Sequence, residues 1–427
     1  MGIFLTPAGM AKSLGSPALV LAVWLSMGAM ALCGALCYGE LAARFPEAGG
    51  GYVYLREAYG RALAFLYGWM AFLVMDPGVT AALAAGLAGY AGYLLGLSPA
   101  GTKLAAIISI IAVAAVNVFG VRAGARLARW LTALKLALLA ALIFWGFVSG
   151  LGDWSNFAPF VAQRAGSEAL PGALAGAFVA AFFSFGGWWD ASKLAGEVRD
   201  PGRTLPRALA AGVLVVTLVY ILTSAVFIYL VPMGAVTSGE TFAAQAGERL
   251  FGRFGARAFS LVVVVTVLGS LAGLTMSAPR VYYAMARDRL FFRAAARVSA
   301  RTGTPAVAIA LQAALACALV AVGSFEEIVA YFIFAVVLFI ALTVAALFVL
   351  RRRERTGDDN GREGVGDDKV GYRTPGYPAT PALFLALVAV LLLLLGAGRP
   401  RESLLGAAVT AAGLPVYFLI FRRKQLT

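Results

Sequence analysis

The chain has 427 residues, of which 61% are apolar, only 13% are charged and none is histidine. An average soluble domain carries about 25% charged residues, so this is an integral membrane protein. The formal charge of +14 raises nucleic acid as a partner, but its distribution excludes that reading. Of the 35 Lys and Arg, 26 fall in the windows 41–61, 119–130, 193–207, 280–303, 350–375 and 422–427, all on one face of the expected topology. Such asymmetry is the positive-inside pattern, which puts those windows and the C-terminus in the cytoplasm of a multi-pass protein of the cell membrane.

Twelve apolar segments follow, most near the roughly 20 residues that a spanning helix needs. Residues 2–12 are too short to span and read as the second half of a broken helix whose first half is missing, which points to a recorded start downstream of the true one. Pro17 opens a full span to about Arg44. The loop that follows carries Pro46 and Gly49-Gly50-Gly51; it follows no strand and lacks P-loop spacing, so a turn is expected. Helix 3 runs over 58–95 and is expected to break at Asp76-Pro77-Gly78, helix 4 over 103–119, and helix 5 over 125–149 with Lys135 inside it. After an outer loop comes the 176–206 stretch, helix 6, in which an apolar span meets Phe183-Ser184-Phe185-Gly186-Gly187 in mid-course.

Adjacent glycines loosen helical backbone, and open backbone at membrane depth is tolerated only where it lines a cavity or is buried in protein. A binding site at a broken helix and a close crossing through small residues both fit that window. Helix 7 covers 207–231, followed by an outer loop with Glu240 and Glu248. Helices 8, 9 and 10 cover 258–286, 306–323 and 326–350. A charged cytoplasmic loop over 351–375, helices 11 (380–397) and 12 (403–421) and the cytoplasmic tail 422–427 complete the chain. The membrane-embedded unit is thus 1–421. Helices 1–5 (2–150) and 6–10 (171–350) each open on an interrupted segment, the sequence pointer to inverted repeats.

Particular stretches resemble the amino acid–polyamine–organocation (APC) superfamily, and within it bacterial amino acid permeases related to L-type amino acid transporters. They are Gly2-Ile3-Phe4 with Thr6-Pro7; Tyr38-Gly-Glu40-Leu through Pro46-Glu-Ala-Gly49-Gly50; and Phe183 to Trp188 followed by Glu197-Val-Arg-Asp-Pro201. Further on come Pro279-Arg280 through Tyr283-Ala-Met-Ala-Arg287-Asp288 and Tyr372-Arg-Thr-Pro375-Gly-Tyr377-Pro378. The resemblance covers nearly the whole chain, in order and at matching spacing. It implies an all-α LeuT-like fold, a 5+5 inverted repeat with broken helices 1 and 6 plus two C-terminal helices, and an amino acid substrate at the bilayer midplane.

By that resemblance, N–H groups at Gly2 and Ile3 hold the substrate carboxylate. Unwound carbonyls near Ser184, Phe185 and Gly186 take its ammonium, and Phe183 and Ser184 select the side chain. The family's Gly-Ser before Gly2 is absent here. Animal L-type relatives join a single-span heavy chain through an outer-loop cysteine between helices 3 and 4; the 96–102 loop has none, so no disulfide-linked heavy chain is expected.

Lys135 sits near mid-membrane, where an ammonium costs roughly 2.5–3.5 kcal/mol on insertion scales and marks a functional position by default. It matches the helix-5 lysine that sodium-independent members carry in place of an ion, with Thr275 and Ser277 of helix 8 as hydroxyl partners. Snorkelling is the other reading, and depth argues against it. A titrating Lys135 implies proton symport; a permanently charged one fits exchange equally. Asp76 reads first as the N-cap of a half-helix opening at Pro77, and second as a proton carrier or partner of Lys135. Asp190, Glu40 and Glu197 are expected to order loops through nearby arginines. Trp24, Trp69, Trp188 and Trp189 are expected in packing or at the interface.

Cys33, Cys37 and Cys317 lie inside apolar segments and read as packing residues, so no metal or cofactor is expected. A membrane enzyme has no catalytic set here, a sensor has no signalling domain, and Lys135 disfavours a sodium-coupled symporter. The expectation is a sodium-independent amino acid permease working by alternating access.

Overall fold

The computed structural model describes residues 2–235, 239–322, 325–356, 371–398 and 400–422, and every regular element among them is helical. The expected boundary of the charged loop, 351–375, and the tail 422–427 lie largely outside the described residues. Among the described residues ten helices are long and apolar enough to cross a membrane, and Ala306–Val322 is a shorter apolar one.

The chain opens with α1 (Gly2–Leu14) and α2 (Pro17–Arg44). Ser16 starts α2: its Oγ accepts the N–H of Leu19 while Pro17 takes the first helical position. A short α3 (Gly51–Tyr59) precedes α4 (Arg61–Leu95), α5 (Pro99–Val118) and α6 (Val121–Val148). Next come α7 (Leu170–Phe185), a 3-10 segment Trp188–Glu197, α8 (Pro201–Leu230), α9 (Gly239–Phe251) and α10 (Gly255–Arg287). The chain ends with α11 (Ala306–Val322), α12 (Phe325–Thr356), α13 (Ala379–Gly398) and α14 (Pro400–Ala411), the last prolonged by residues 413–422. The 239–251 helix falls where the sequence suggested only a loop.

The helices pack as two groups. In one, α2 lies along α8 and α1 along α7; in the other, α4, α5, α10 and α11 pack on one another, with α6 against α10. The opening helix α1 therefore meets the helix that leads into the Gly186–Gly187 break. At the second break α7 ends at Phe185, Gly186 is extended (φ −50°, ψ 144°) and Gly187 is left-handed (φ +99°) before the 3-10 segment starts. A side chain at Gly187 would strain that turn.

The expected break at Asp76-Pro77-Gly78 is not there. The helix runs on through Asp76 (φ −72°, ψ −44°) by widening into a π turn over Ala71–Met75, where the Asp76 N–H reaches Ala71 O. Pro77 has no N–H to give, and the added residue in the turn absorbs that missing bond without ending the helix. Asp76 is therefore not an N-cap.

Candidate functional site

Where α1 meets the broken segment, the two backbones nearly touch. A Cβ built on Gly2 would stand 2.3 Å from Ser184 Oγ and 2.5 Å from its Cα, so only glycine allows this crossing. Thr6 Oγ1 lies 2.9 Å from Ser184 Oγ and donates to Gly2 O, and Ser184 Oγ donates to Ala180 O. Tyr220 OH donates to Ser184 O at 2.7 Å. Trp24, Phe185 and Tyr220 form an aromatic cluster behind the break, with centroids 5.1–6.1 Å apart. The opening N–H groups of α1 have no acceptor one turn earlier, as at any helix start.

A cavity of about 540 Å³ opens on this crossing. Gly2, Phe183, Ser184, Phe185 and Gly186 line it, together with Asp76, Lys135 and Ser277. Two residues named with them do not: Ile3 is buried in the core, 1% exposed, and Thr275 is sealed within α10. Trp188 and Trp189, expected in packing, line the cavity as well.

Lys135 forms no hydrogen bond or ion pair among the described residues. Its expected partners spend their hydroxyl protons on their own helix: Thr275 Oγ1 donates to Leu271 O at 2.8 Å, and Ser277 Oγ to Leu274 O at 3.3 Å. Their lone pairs are left to accept a proton from an ammonium. Of the two, only Ser277 shares the cavity with Lys135.

The sequence reading missed a cluster beside this cavity. Lys193, counted there as a loop charge, is 1% exposed. Its ammonium sits 2.9 Å from Asp76 Oδ1 and 2.8 Å from Asp190 Oδ1. Asp76 Oδ2 takes a further contact from Tyr282 OH at 3.1 Å. Asp190 thus pairs with a lysine rather than with the arginine expected for it. The Asp190/Lys193 spacing of three is a helical ion-pair signal, but nothing local marks Asp76 as the third member.

At the charged end of the bundle Glu40, wholly buried, accepts from Arg44 (2.6 Å), from Arg351 (2.7 Å) and from the Thr374 N–H (2.7 Å). Arg44 also pairs with Glu354. Glu197 receives Arg280 at 2.8 Å, and Asp288 receives Arg56 at 2.7 Å and Tyr52 OH at 2.8 Å. Burial is the largest single influence on Arg56 and disfavours its charge, but the hydrogen bonds and charges of Asp288 and Glu57 together outweigh it and raise the pKa of the guanidinium. Glu40 and Glu197 do engage arginines, as expected.

The comparisons agree with this architecture. The family model described as amino acid permease matches residues 1–420. The serine/threonine exchanger SteT of Bacillus subtilis is 30% identical over 99% of this chain and 93% of its own. The mouse b(0,+)-type amino acid transporter 1 is 29% identical over 82% of this chain and 72% of its own. The human large neutral amino acids transporter small subunit 2 is 28% identical over 98% of this chain and 76% of its own. With a bundle of span-length helices and α1 meeting the broken α7 segment at one cavity, the chain belongs to the amino acid permease family of the APC superfamily, and is a multi-pass membrane transporter of amino acids, not an enzyme.

Proposed function

We propose that this chain is a sodium-independent amino acid exchanger with its substrate seated where α1 crosses the α7 break. The observation that carries the reading is Lys135, which lines the same cavity as Gly2 and the break. An ammonium fixed there supplies the positive charge that a sodium ion would bring, and it lies within a membrane-spanning helix where a lone charge is retained only for use. The substrate carboxylate faces the start of α1 at Gly2, the dipole's positive end. Its ammonium faces carbonyls freed at Ser184–Gly186, and Phe183 with Trp188 and Trp189 bounds the side chain. A backbone-built site suits amino acids because their two charged ends never vary.

A cavity of about 540 Å³ is within the usual range of small-molecule sites, and the name of the Bacillus relative makes serine and threonine the first substrates to try. The charge distribution supports a cell-membrane protein with a cytoplasmic C-terminus. Cys33, Cys37 and Cys317 all lie within helices, which supports transport without a disulfide-linked subunit.

The test is reconstitution of purified protein into liposomes. Uptake of radiolabelled L-serine or L-threonine is expected to require unlabelled amino acid inside and to persist when choline replaces sodium. Uptake into empty liposomes driven by an imposed pH gradient would instead establish proton symport, and dependence on sodium would overturn the role given to Lys135.

A further inference from the structure

The Lys193 cluster crosses the line between the two packing groups. Lys193 and Asp190 belong to the 3-10 segment just past the break, whereas Asp76 lies on α4 and Tyr282 on α10. Asp76 sits directly after the π turn, and Tyr282 OH also lies 3.3 Å from Ala71 O at the start of that turn. Asp76 and Asp190 are among the residues that line the cavity and Lys193 is not, while Asp76 and Lys193 are both 1% exposed. One ammonium thus holds the acids of two residues that line the cavity. A second tie runs parallel, from Glu197 at the end of the same segment to Arg280 on α10. Buried pairs of this kind add little net stability over apolar packing but specify one arrangement, and losing one partner leaves a charge stranded.

We propose that Lys193 is a positioning residue for transport: through Asp76 and Tyr282 it clasps the segment beyond the break onto α4 and α10, and this clasp opens and closes as the cavity changes sides. The proposal rests on amino acid transport by alternating access, in which one bundle rocks against another around a fixed site, and does not depend on whether coupling is by exchange or symport. Every movement of the segment away from α4 must separate the Lys193 ammonium from Asp76. The strength of the clasp therefore sets how much of the population has the segment detached.

The readout is the sidedness of the cavity, measured without substrate, so that an error in the proposed substrate or coupling leaves it unaffected. A reporter cysteine replaces Ala128, which lines the cavity on α6, in full-length protein with Cys33, Cys37 and Cys317 changed to alanine. A membrane-impermeant maleimide is applied to right-side-out and inside-out vesicles. In the paired variant Asp76→Asn/Lys193→Met with Asp190→Asn added, which strands no charge, labelling from the side of the charged end is expected to rise by about five-fold or more relative to the other side. Tyr282→Phe, which removes one hydrogen bond to Asp76, is expected to shift the ratio the same way by less. An unchanged ratio in both variants, with protein inserted at the normal level, overturns the proposal. Should the paired variant fail to insert, Tyr282→Phe decides alone: a shifted ratio supports the clasp and an unshifted one overturns it.

Discussion

The helix break and the charged end of the bundle hold their helices together by opposite means. At the break, contact is backbone against backbone, with a glycine on one side and two hydroxyls bridging the gap. At the charged end, Glu40 alone gathers two guanidinium groups and a backbone amide from parts of the chain more than 300 residues apart. Neutral hydroxyl contacts strand no charge when the crossing loosens, and the room for a zwitterion is the cavity beside it. Buried ion pairs hold one arrangement and resist any other. The Lys193 cluster stands between the two, with buried ion pairs beside the cavity where the proposed motion must separate them.

The largest effect expected from that contrast is at Glu40. Glu40→Ala leaves Arg351 without its carboxylate and the Thr374 N–H without its acceptor, both within the packed end. Breaking a buried pair from one side costs about 3–5 kcal/mol, so the variant is expected to lose most of its monodisperse protein on size-exclusion chromatography. Recovery at the wild-type level would break the comparison. Next comes Lys135→Ala, expected to insert normally and to lose exchange down to the background of empty liposomes. Wild-type uptake rates in that variant would remove Lys135 from the mechanism.

Gly2→Ala tests the close crossing itself. The new Cβ meets Ser184 at its Cα as well as its hydroxyl, so the helices must separate and no side-chain adjustment suffices. Overpacking of this kind costs about 1–3 kcal/mol, and exchange is expected to fall by roughly ten-fold with folding intact. Gly9→Ala, on the same helix and with nothing within 4 Å of its Cβ, is the matched control and is expected to be silent. Equal losses in the two would show helix flexibility, not the crossing, to be at stake.

How much of this was legible in the sequence follows the same division. The break at Gly186-Gly187 could be read because its cause is local: two glycines inside an apolar span. The span limits of α2 and α11 were readable for the same reason, from Pro17 and from apolar length. Asp76-Pro77-Gly78 misled because proline signals a missing bond without saying how it will be absorbed, and here a π turn does so. Lys193 was misplaced because charge near a span end looks the same whether it faces water or a partner. Only folding brings Asp76, 117 residues earlier in the chain, within 2.9 Å of it. Ser277 shares the cavity with Lys135 and Thr275 does not, and the hydroxyl protons of both turn back to their own helix, an outcome short-range backbone geometry favours wherever no stronger acceptor lies closer.

The smallest effect is expected at Thr6, and it asks whether the hydroxyl bridge matters beyond the fit of Gly2. Two hydroxyl protons, those of Thr6 and Ser184, serve three contacts: Gly2 O, Ala180 O and the bridge between the two oxygens. Each hydroxyl has one proton to donate, so the bridge forms only when one of the two carbonyls gives its proton up. Thr6→Val keeps the shape and removes one of those protons, leaving Ser184 to choose Ala180 alone. Side-chain hydrogen bonds between membrane helices average about 0.6 kcal/mol, so the apparent KM for L-threonine is expected to rise no more than about three-fold, with the maximal rate unchanged. A loss as large as that of Gly2→Ala would mean that the hydroxyl pair, and not the bare backbone crossing, holds α1 to the break.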